Sequence, residues 1–296
     1  MLITAYREAL TVGHAIEAFL SQMPPDGEIL VVCPDAETAA VVARYEDHST
    51  SVARAGVRQI RDPQRGKPAA LNLGLKAACG EIVIFSDGDV YVDDDALEPL
   101  LRPFVNPMVG AVSGRPVSLS PRDTLLGYWS HLLTDAGAHQ TRLARDRQGK
   151  FLVSSGYLFA ARRTLVNPVP EDALAEDAVI SHRIAEQGYR IRYAPEARVY
   201  VKYPTTYRDW LRQRVRSAGG YAQDYVRRSP YSMRSARLEM LTGTPLALRY
   251  PREAREFVWT LLLFAARLHL WGLVFLNVRV LRRPLSDLWK RVETTK

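Results

Sequence analysis

Ile82-Val83-Ile84-Phe85-Ser86-Asp87-Gly88-Asp89 is an apolar run that stops at two carboxylates one residue apart. Its β-branched and aromatic residues predict a central strand of a parallel sheet, covered on both faces. Asp87 and Asp89 then fall just past the strand's C-terminal end, where open α/β sheets place their ligands. Carboxylates this close repel unless a cation lies between them, and a hard divalent ion holding a diphosphate is the simplest such partner. The same residues also suit a polar Asp-Gly turn.

Upstream, Leu2 to Ala5 reads as a first strand, followed by a Tyr6-Arg7-Glu8 loop. Thr11 is placed to cap a helix in which Val12, Ala15, Ile16, Phe19 and Leu20 recur at helical spacing. Glu28 to Cys33, Glu37 to Tyr45 and Val57 to Ile60 continue as strand, helix and strand, the start of a doubly wound sheet. Gln64-Arg65-Gly66-Lys67 is a basic loop entering a helix at Pro68, with Asn72 one turn on. Glycine, lysine and a helix N-terminus together suit a phosphate, although the spacing is not that of a P-loop. A solvated loop before an amphipathic helix fits the same residues.

Downstream, Asp93, Asp94 and Asp95 are expected to cap a helix through Leu101. Val109 to Val112 reads as a strand and Thr124 to Arg145 as one long amphipathic helix. Ser154-Ser155-Gly156 interrupts the apolar stretch Phe151 to Ala161 and lets a backbone approach a ligand. Glu176-Asp177 opens a helix ending near Gly188; such acids serve either as caps or as a general base facing a cleft. Arg190 to Tyr193 and Arg198 to Val201 read as two short strands. Thr205 then opens a helix on which Gln213 and Arg216 share a face, so both can meet one anionic group.

The 296 residues suffice for one large core or two modest ones. Cys33 and Cys79 show neither metal-ligand spacing nor a disulfide framework, which fits a reducing compartment. Met1-Leu2-Ile3 runs straight into a strand without a preceding basic segment, so no secretory leader is expected. Residues 201 to 296 hold 19 Lys/Arg against 7 Asp/Glu, a surplus larger than the whole chain's +8, so the first 200 residues are net acidic. That asymmetry favours an anionic partner, and with no recognition motif or stacking platform beside it, nucleic acid is not expected. Phe257 to Leu276 is the most apolar stretch and long enough to span a bilayer, but Arg267 near its middle costs about 2.5 to 3.5 kcal/mol on insertion scales. Arg249, Arg252 and Arg255 before it and Arg279, Arg282 and Arg283 after it favour membrane attachment, peripheral or by a single span.

Taken in order, several of these marks resemble the family 2 glycosyltransferases. They are Thr4-Ala5-Tyr6-Arg7-Glu8, Gly66-Lys67-Pro68-Ala69-Ala70-Leu71-Asn72, Asp87-Gly88-Asp89, Ser155-Gly156, Glu176-Asp177 before Gly188-Tyr189-Arg190, and Gln213-Arg214-Val215-Arg216. The resemblance implies a GT-A fold, a doubly wound mixed sheet of Rossmann-like type, over residues 1–221. Residues 1–115 would be the nucleotide-sugar half and 116–221 the acceptor half, with 222–296 a membrane-associated helical tail. It further implies an inverting transferase in which Thr4, Tyr6, Glu8, Lys67 and Asn72 contact the donor. Asp87 and Asp89 would hold Mn²⁺ or Mg²⁺ on the diphosphate. Asp177, with Glu176 beside it, becomes the general base, and Ser155, Gly156, Gln213 and Arg216 brace the acceptor or the diphosphate. The donor is expected to be a UDP-sugar ahead of a GDP-sugar, and the acceptor a glycan or lipid-linked glycan at the cytoplasmic face of the cell membrane. The family's Pro-x-Tyr-Asn-Glu is replaced by Thr4-Ala5-Tyr6-Arg7-Glu8, its aspartate after the second strand falls at Asp35, and Ser217 stands where processive members carry Trp. That last change points to single transfer. A nucleotidyltransferase of similar fold and a non-catalytic glycan-binding module are the competing readings.

Overall fold

The computed structural model describes residues 1–46, 56–233 and 243–276. In chain order, β1 (Leu2–Thr4), α1 (Val12–Leu20), β2 (Glu28–Cys33), α2 (Ala36–Glu46), β3 (Gly56–Arg61), α3 (Lys67–Ala77) and β4 (Ile82–Asp87) form the alternating first part. There follow β5 (Tyr91–Val92), α4 (Leu97–Leu101), β6 (Val109–Ser118), α5 (Leu125–Leu132) and α6 (Gln140–Arg147). The last of the labelled elements are β7 (Leu158–Arg162), α7 (Glu176–Glu186), β8 (Arg190–Val201) and α8 (Tyr207–Ala222). The chain divides into two units: Met1–Pro116 with Val153–Val201, and Val117–Leu152 with the chain from Lys202 onward. The boundary expected at 221 therefore falls inside the second unit.

The first unit is built on an eight-stranded sheet of order β3-β2-β1-β4-β7-β6-β8-β5. β1 lies between β2 and β4 and is parallel to both, so the winding reverses between β1 and β4. That is the crevice where such sheets bind ligands. β4 is central and buried as its apolar run demands, with Val83, Ile84 and Phe85 all but inaccessible. Its surroundings are mixed, since β7 runs antiparallel to it and pairs Phe85 with Phe159. The two rings stack at 4.4 Å, forming the apolar floor beneath the strand ends.

Several local expectations change. Arg190–Val201 is one continuous strand, β8, rather than two. α4 begins at Leu97, and its first N–H is accepted by the Gln22 side chain at 3.0 Å, not by an aspartate. Asp93 instead lies 3.8 Å from Arg198 of β8. Thr11 precedes α1 as expected, but its hydroxyl donates to the Glu8 carbonyl at 3.4 Å and caps nothing. Thr206, not Thr205, caps α8, accepting the Asp209 N–H.

In the second unit the expected helix Thr124 to Arg145 is split into α5 and α6 by a π-helical segment, Leu133–His139. The Thr134 hydroxyl there donates back to the carbonyls of Ser130 and His131, a competition with the backbone that loosens the helical ladder. The long helix Ala254–Phe275 packs on α5 and α8. Its Leu263 and Ala266 join Tyr128, Trp129, Leu132, Trp210 and Ala247 in one apolar cluster. Beside it the Arg122 guanidinium holds Glu256 in a two-pronged bond, 2.8 and 3.0 Å, and takes the Tyr250 hydroxyl oxygen at 2.8 Å. Arg279, Arg282 and Arg283 lie outside the described residues.

The bond to Arg122 holds the Glu256 carboxyl below its ordinary value of 4.5, against the opposing effect of burial. A carboxyl whose pKa is lowered by folding adds stability above its unfolded pKa and loses it as pH falls through the lowered value. Arg122→Met leaves Glu256 buried without this partner and is expected to cost about 3 kcal/mol at pH 7. Urea unfolding at pH 7 and at about pH 3.5 checks it: the cost should shrink in acid, and an equal cost at both pH values would contradict the assignment.

Candidate functional site

The parallel pairing of β1 with β4 sets Thr4 opposite Asp87. The Thr4 hydroxyl approaches the Asp87 carboxylate at 3.4 Å, and the Gly88 N–H donates to the Thr4 carbonyl at 3.1 Å. A side chain at position 88 would place its Cβ 2.6 Å from a Glu8 carboxylate oxygen and 2.8 Å from the Ala5 Cβ. The turn after β4 therefore needs glycine because the loop after β1 presses against it.

α3 starts at Lys67, behind a Gly66 whose φ of 100° suits only glycine. From there the Lys67 ammonium reaches the Asp87 Oδ1 at 2.6 Å and the Glu176 Oε1 at 2.7 Å. Burial alone would lower the lysine's pKa, but Asp87 and then Glu176 outweigh it and hold the ammonium above its ordinary range. The cation that the paired carboxylates call for is, at Asp87, supplied by the chain itself. Thr4, Lys67, Ser86, Gly156 and Glu176 line a small cleft over Leu71, Phe85 and Phe159.

Glu176 and Asp177 open α7. Asp177 accepts the Gly156 N–H on Oδ2 at 3.0 Å and the Ala178 N–H on Oδ1 at 2.8 Å. These two donors fix the orientation of its carboxylate. A Cβ at Gly156 would lie 3.3 Å from that Oδ2, so the small residue allows the approach. The serine loop is clamped from three sides. The Ser155 N–H donates to the Ser113 hydroxyl, the Ser154 N–H to the Ser181 hydroxyl, and the Ser86 hydroxyl to the Tyr157 carbonyl, each at 3.0 Å.

On the other side of β1, the Asp35 carboxylate accepts the Arg7 N–H at 2.8 Å and the Thr38 N–H at 2.9 Å, while the Glu8 N–H donates to the Thr38 hydroxyl at 2.9 Å. Burial pushes the Asp35 carboxyl up, yet the Arg7 and Thr38 donors bring its pKa below the ordinary value. These bonds fix the Tyr6-Arg7-Glu8 loop, with the Arg7 guanidinium 5.4 Å from the Tyr6 ring centre and Arg7 in a left-handed conformation. Asn72 is used otherwise than its motif suggests. Its amide donates to the Val169 carbonyl and accepts the Val169 N–H, both at 2.7 Å, tying α3 to the segment before α7. Gln213 and Arg216 lie on α8 of the second unit.

Asp62 escaped the sequence reading. It is buried at the end of β3, accepts the Gln64 N–H at 3.1 Å, and burial raises its carboxyl pKa. Asp62 follows the polar strand β3, so no apolar run points to it as one points to Asp87. Among the described residues no cluster of three or more His, Cys, Asp or Glu is arranged to hold a metal. Carboxylate oxygens such as those of Asp87 and Asp89 are the ligand type that a hard divalent ion takes, and Oδ1 of Asp87 already meets the Lys67 ammonium.

A profile described as Glycosyltransferase like family 2 matches residues 1–220. The chain is 27% identical over 226 residues to a poly-beta-1,6-N-acetyl-D-glucosamine synthase of Staphylococcus epidermidis, covering 74% of this chain and 53% of that protein. It is 26% identical over 228 residues to the probable glycosyltransferase YdaM of Bacillus subtilis, covering 74% and 54%. The chain thus spans about half the length of the curated relatives it matches. Among solved structures, a mannosyltransferase of Pyrobaculum calidifontis in complex with GDP-Man and Mn²⁺ superposes with a TM-score of 0.61. It is 21% identical, covering 97% of this chain and 81% of that one, a likeness of fold.

Removing the shared cation tests the electrostatics directly. Lys67→Met leaves Asp87 and Glu176 without the charge between them and is expected to destabilise the protein by about 3 kcal/mol at pH 7. Denaturant unfolding reads it, and a variant as stable as the parent would mean that the lysine does not hold the two carboxylates together.

Proposed function

We propose, from the premise that this chain belongs to glycosyltransferase family 2, that it moves a hexose from a nucleoside-diphosphate donor to a hydroxyl acceptor with inversion at the anomeric carbon. The observation that carries this reading is the Lys67 ammonium between Asp87 and Glu176, with Asp177 adjacent on the Gly156 N–H. A diphosphate at the β1/β4 crevice meets that ammonium and the N-terminal end of α3. The nucleoside then lies over the loop that Asp35 fixes, with Tyr6 and Glu8 beside it and the base uracil ahead of guanine. Mn²⁺ or Mg²⁺ held by Asp87 and Asp89 would supply positive charge to the departing diphosphate.

Asp177 accepts the proton of the acceptor hydroxyl at a carboxylate oxygen. The freed oxygen forms its bond to the anomeric carbon as the bond to the diphosphate breaks, and the nucleoside diphosphate leaves. The donors on Asp177 aim its carboxylate at one orientation, and Glu176, held by Lys67, links that orientation to the donor's side of the cleft. Gln213 and Arg216 on α8 are the candidates for bracing acceptor or diphosphate. Ser217 in place of the processive tryptophan favours single transfer, onto a glycan or lipid-linked glycan at the cytoplasmic face of the membrane.

Turnover with a panel of nucleotide sugars and Mn²⁺ tests the class: nucleoside diphosphate should be released, and pyrophosphate in its place would make the protein a nucleotidyltransferase. Asp177→Asn is expected to lower turnover at least about 100-fold while donor affinity changes little; an unchanged rate would remove the base assignment. Titration calorimetry with Asp89→Ala should lose the part of donor binding that depends on Mn²⁺. Metal-dependent binding of undiminished strength would exclude Asp89 from that role.

A further inference from the structure

We propose that the helix Ala254–Phe275 seats this protein in one leaflet of an anionic membrane, lying in the plane of the interface without crossing the bilayer. The proposal goes beyond the membrane reading above, on which it rests, and is independent of the transfer chemistry.

The helix has two apolar stripes on opposite faces. Thr260, Leu263, Ala266, Leu270 and Val274 recur every three or four residues and are buried, together with the Glu256 carboxylate. Phe257, Val258, Leu261, Leu262, Leu268, Trp271 and Phe275 occupy the other face and are open to solvent, Leu268 to 74% and Phe275 to 62%. A row of large apolar side chains this continuous marks an interaction surface rather than chance exposure. Among the described residues, no Asp, Glu, Lys or Arg falls on that stripe between Phe257 and Leu276. Arg267, which weighs against a span, is half-buried on the flank of the opposite stripe.

Length does not choose between crossing and lying flat, because 22 residues reach about 33 Å, enough for either. The buried stripe chooses. Glu256 is gripped by Arg122, the Tyr128 and Thr260 hydroxyls meet at 2.7 Å, and the Trp129 indole donates to the Trp259 carbonyl at 2.7 Å. A crossing helix would carry these polar partners into hydrocarbon or abandon them, and each unsatisfied group there is costly. Lying flat keeps all of them and immerses only the open stripe.

The occupant is a lipid surface because of what borders the stripe. Arg249, Arg252 and Arg255 are exposed just before it, and Leu246 and Leu248 are exposed on the preceding helix Thr244–Arg249. Arginines at the rim of an apolar stripe match anionic headgroups above acyl chains, and the open Trp271 is a residue type that favours that boundary.

Flotation of the full chain with phosphatidylcholine vesicles, with and without phosphatidylglycerol, tests the proposal. The protein should float with the anionic vesicles and be released by alkaline carbonate. The Trp271 fluorescence, taken as the difference from Trp271→Phe, should be quenched better by shallow than by deep nitroxide lipids. Leu268→Glu, on the open stripe, should lower flotation at least about ten-fold with an unchanged circular dichroism spectrum. Arg249→Glu with Arg252→Glu should lower it by roughly an order of magnitude on anionic vesicles only. Resistance to carbonate with Trp271 quenched best at the bilayer centre would overturn the in-plane seat while leaving membrane attachment standing. Absence of flotation, or a dimer in solution that Leu268→Glu dissociates, would overturn both.

Discussion

One ammonium group holds the candidate site together. Lys67 reaches Asp87 at the end of β4 and Glu176 at the start of α7, so the sheet's central strand and the helix carrying Asp177 share a single cation. Its half-buried position makes each contact stronger than a surface pair and makes its loss expensive. The surrounding features follow from reaching that arrangement. Gly66 turns the chain so that α3 begins at the lysine, Gly88 lets the loop after β1 close over the end of β4, and Gly156 lets a backbone N–H meet Asp177.

The lysine also changes what the paired aspartates mean. Asp87 already shares the Lys67 ammonium with Glu176, so any further cation at the turn would meet a carboxylate that is partly engaged from within. A divalent ion held there would draw on phosphate oxygens of a bound donor to complete its shell.

Much of this was legible in the chain because it is local. The run Ile82 to Phe85 announced a buried central strand, and Gly66-Lys67-Pro68 announced a helix start. What was not legible depends on contacts across the sequence. No local pattern says that Lys67 spans to Glu176, that Asn72 is consumed by Val169, or that Gln22 caps α4. The antiparallel neighbour of β4 was hidden for the same reason, since an apolar run records burial on both faces but not the direction of the strand beside it. Likewise, the length and hydropathy of Phe257 to Leu276 raised a membrane question, while the stripe that packs on α5 and α8 is visible only in three dimensions.

In the proposed transfer, a single displacement has Asp177 take the acceptor proton while the donor's diphosphate departs from the Lys67 side of the cleft. Proton NMR of the first transferred product, recorded before any mutarotation, tests it most directly through the coupling constant of the new anomeric proton. With an α-linked nucleotide sugar of the gluco configuration, inversion gives a β-linkage with a large axial coupling. An α-linkage with a small coupling would mean retention and would contradict a mechanism built on one base and one displacement.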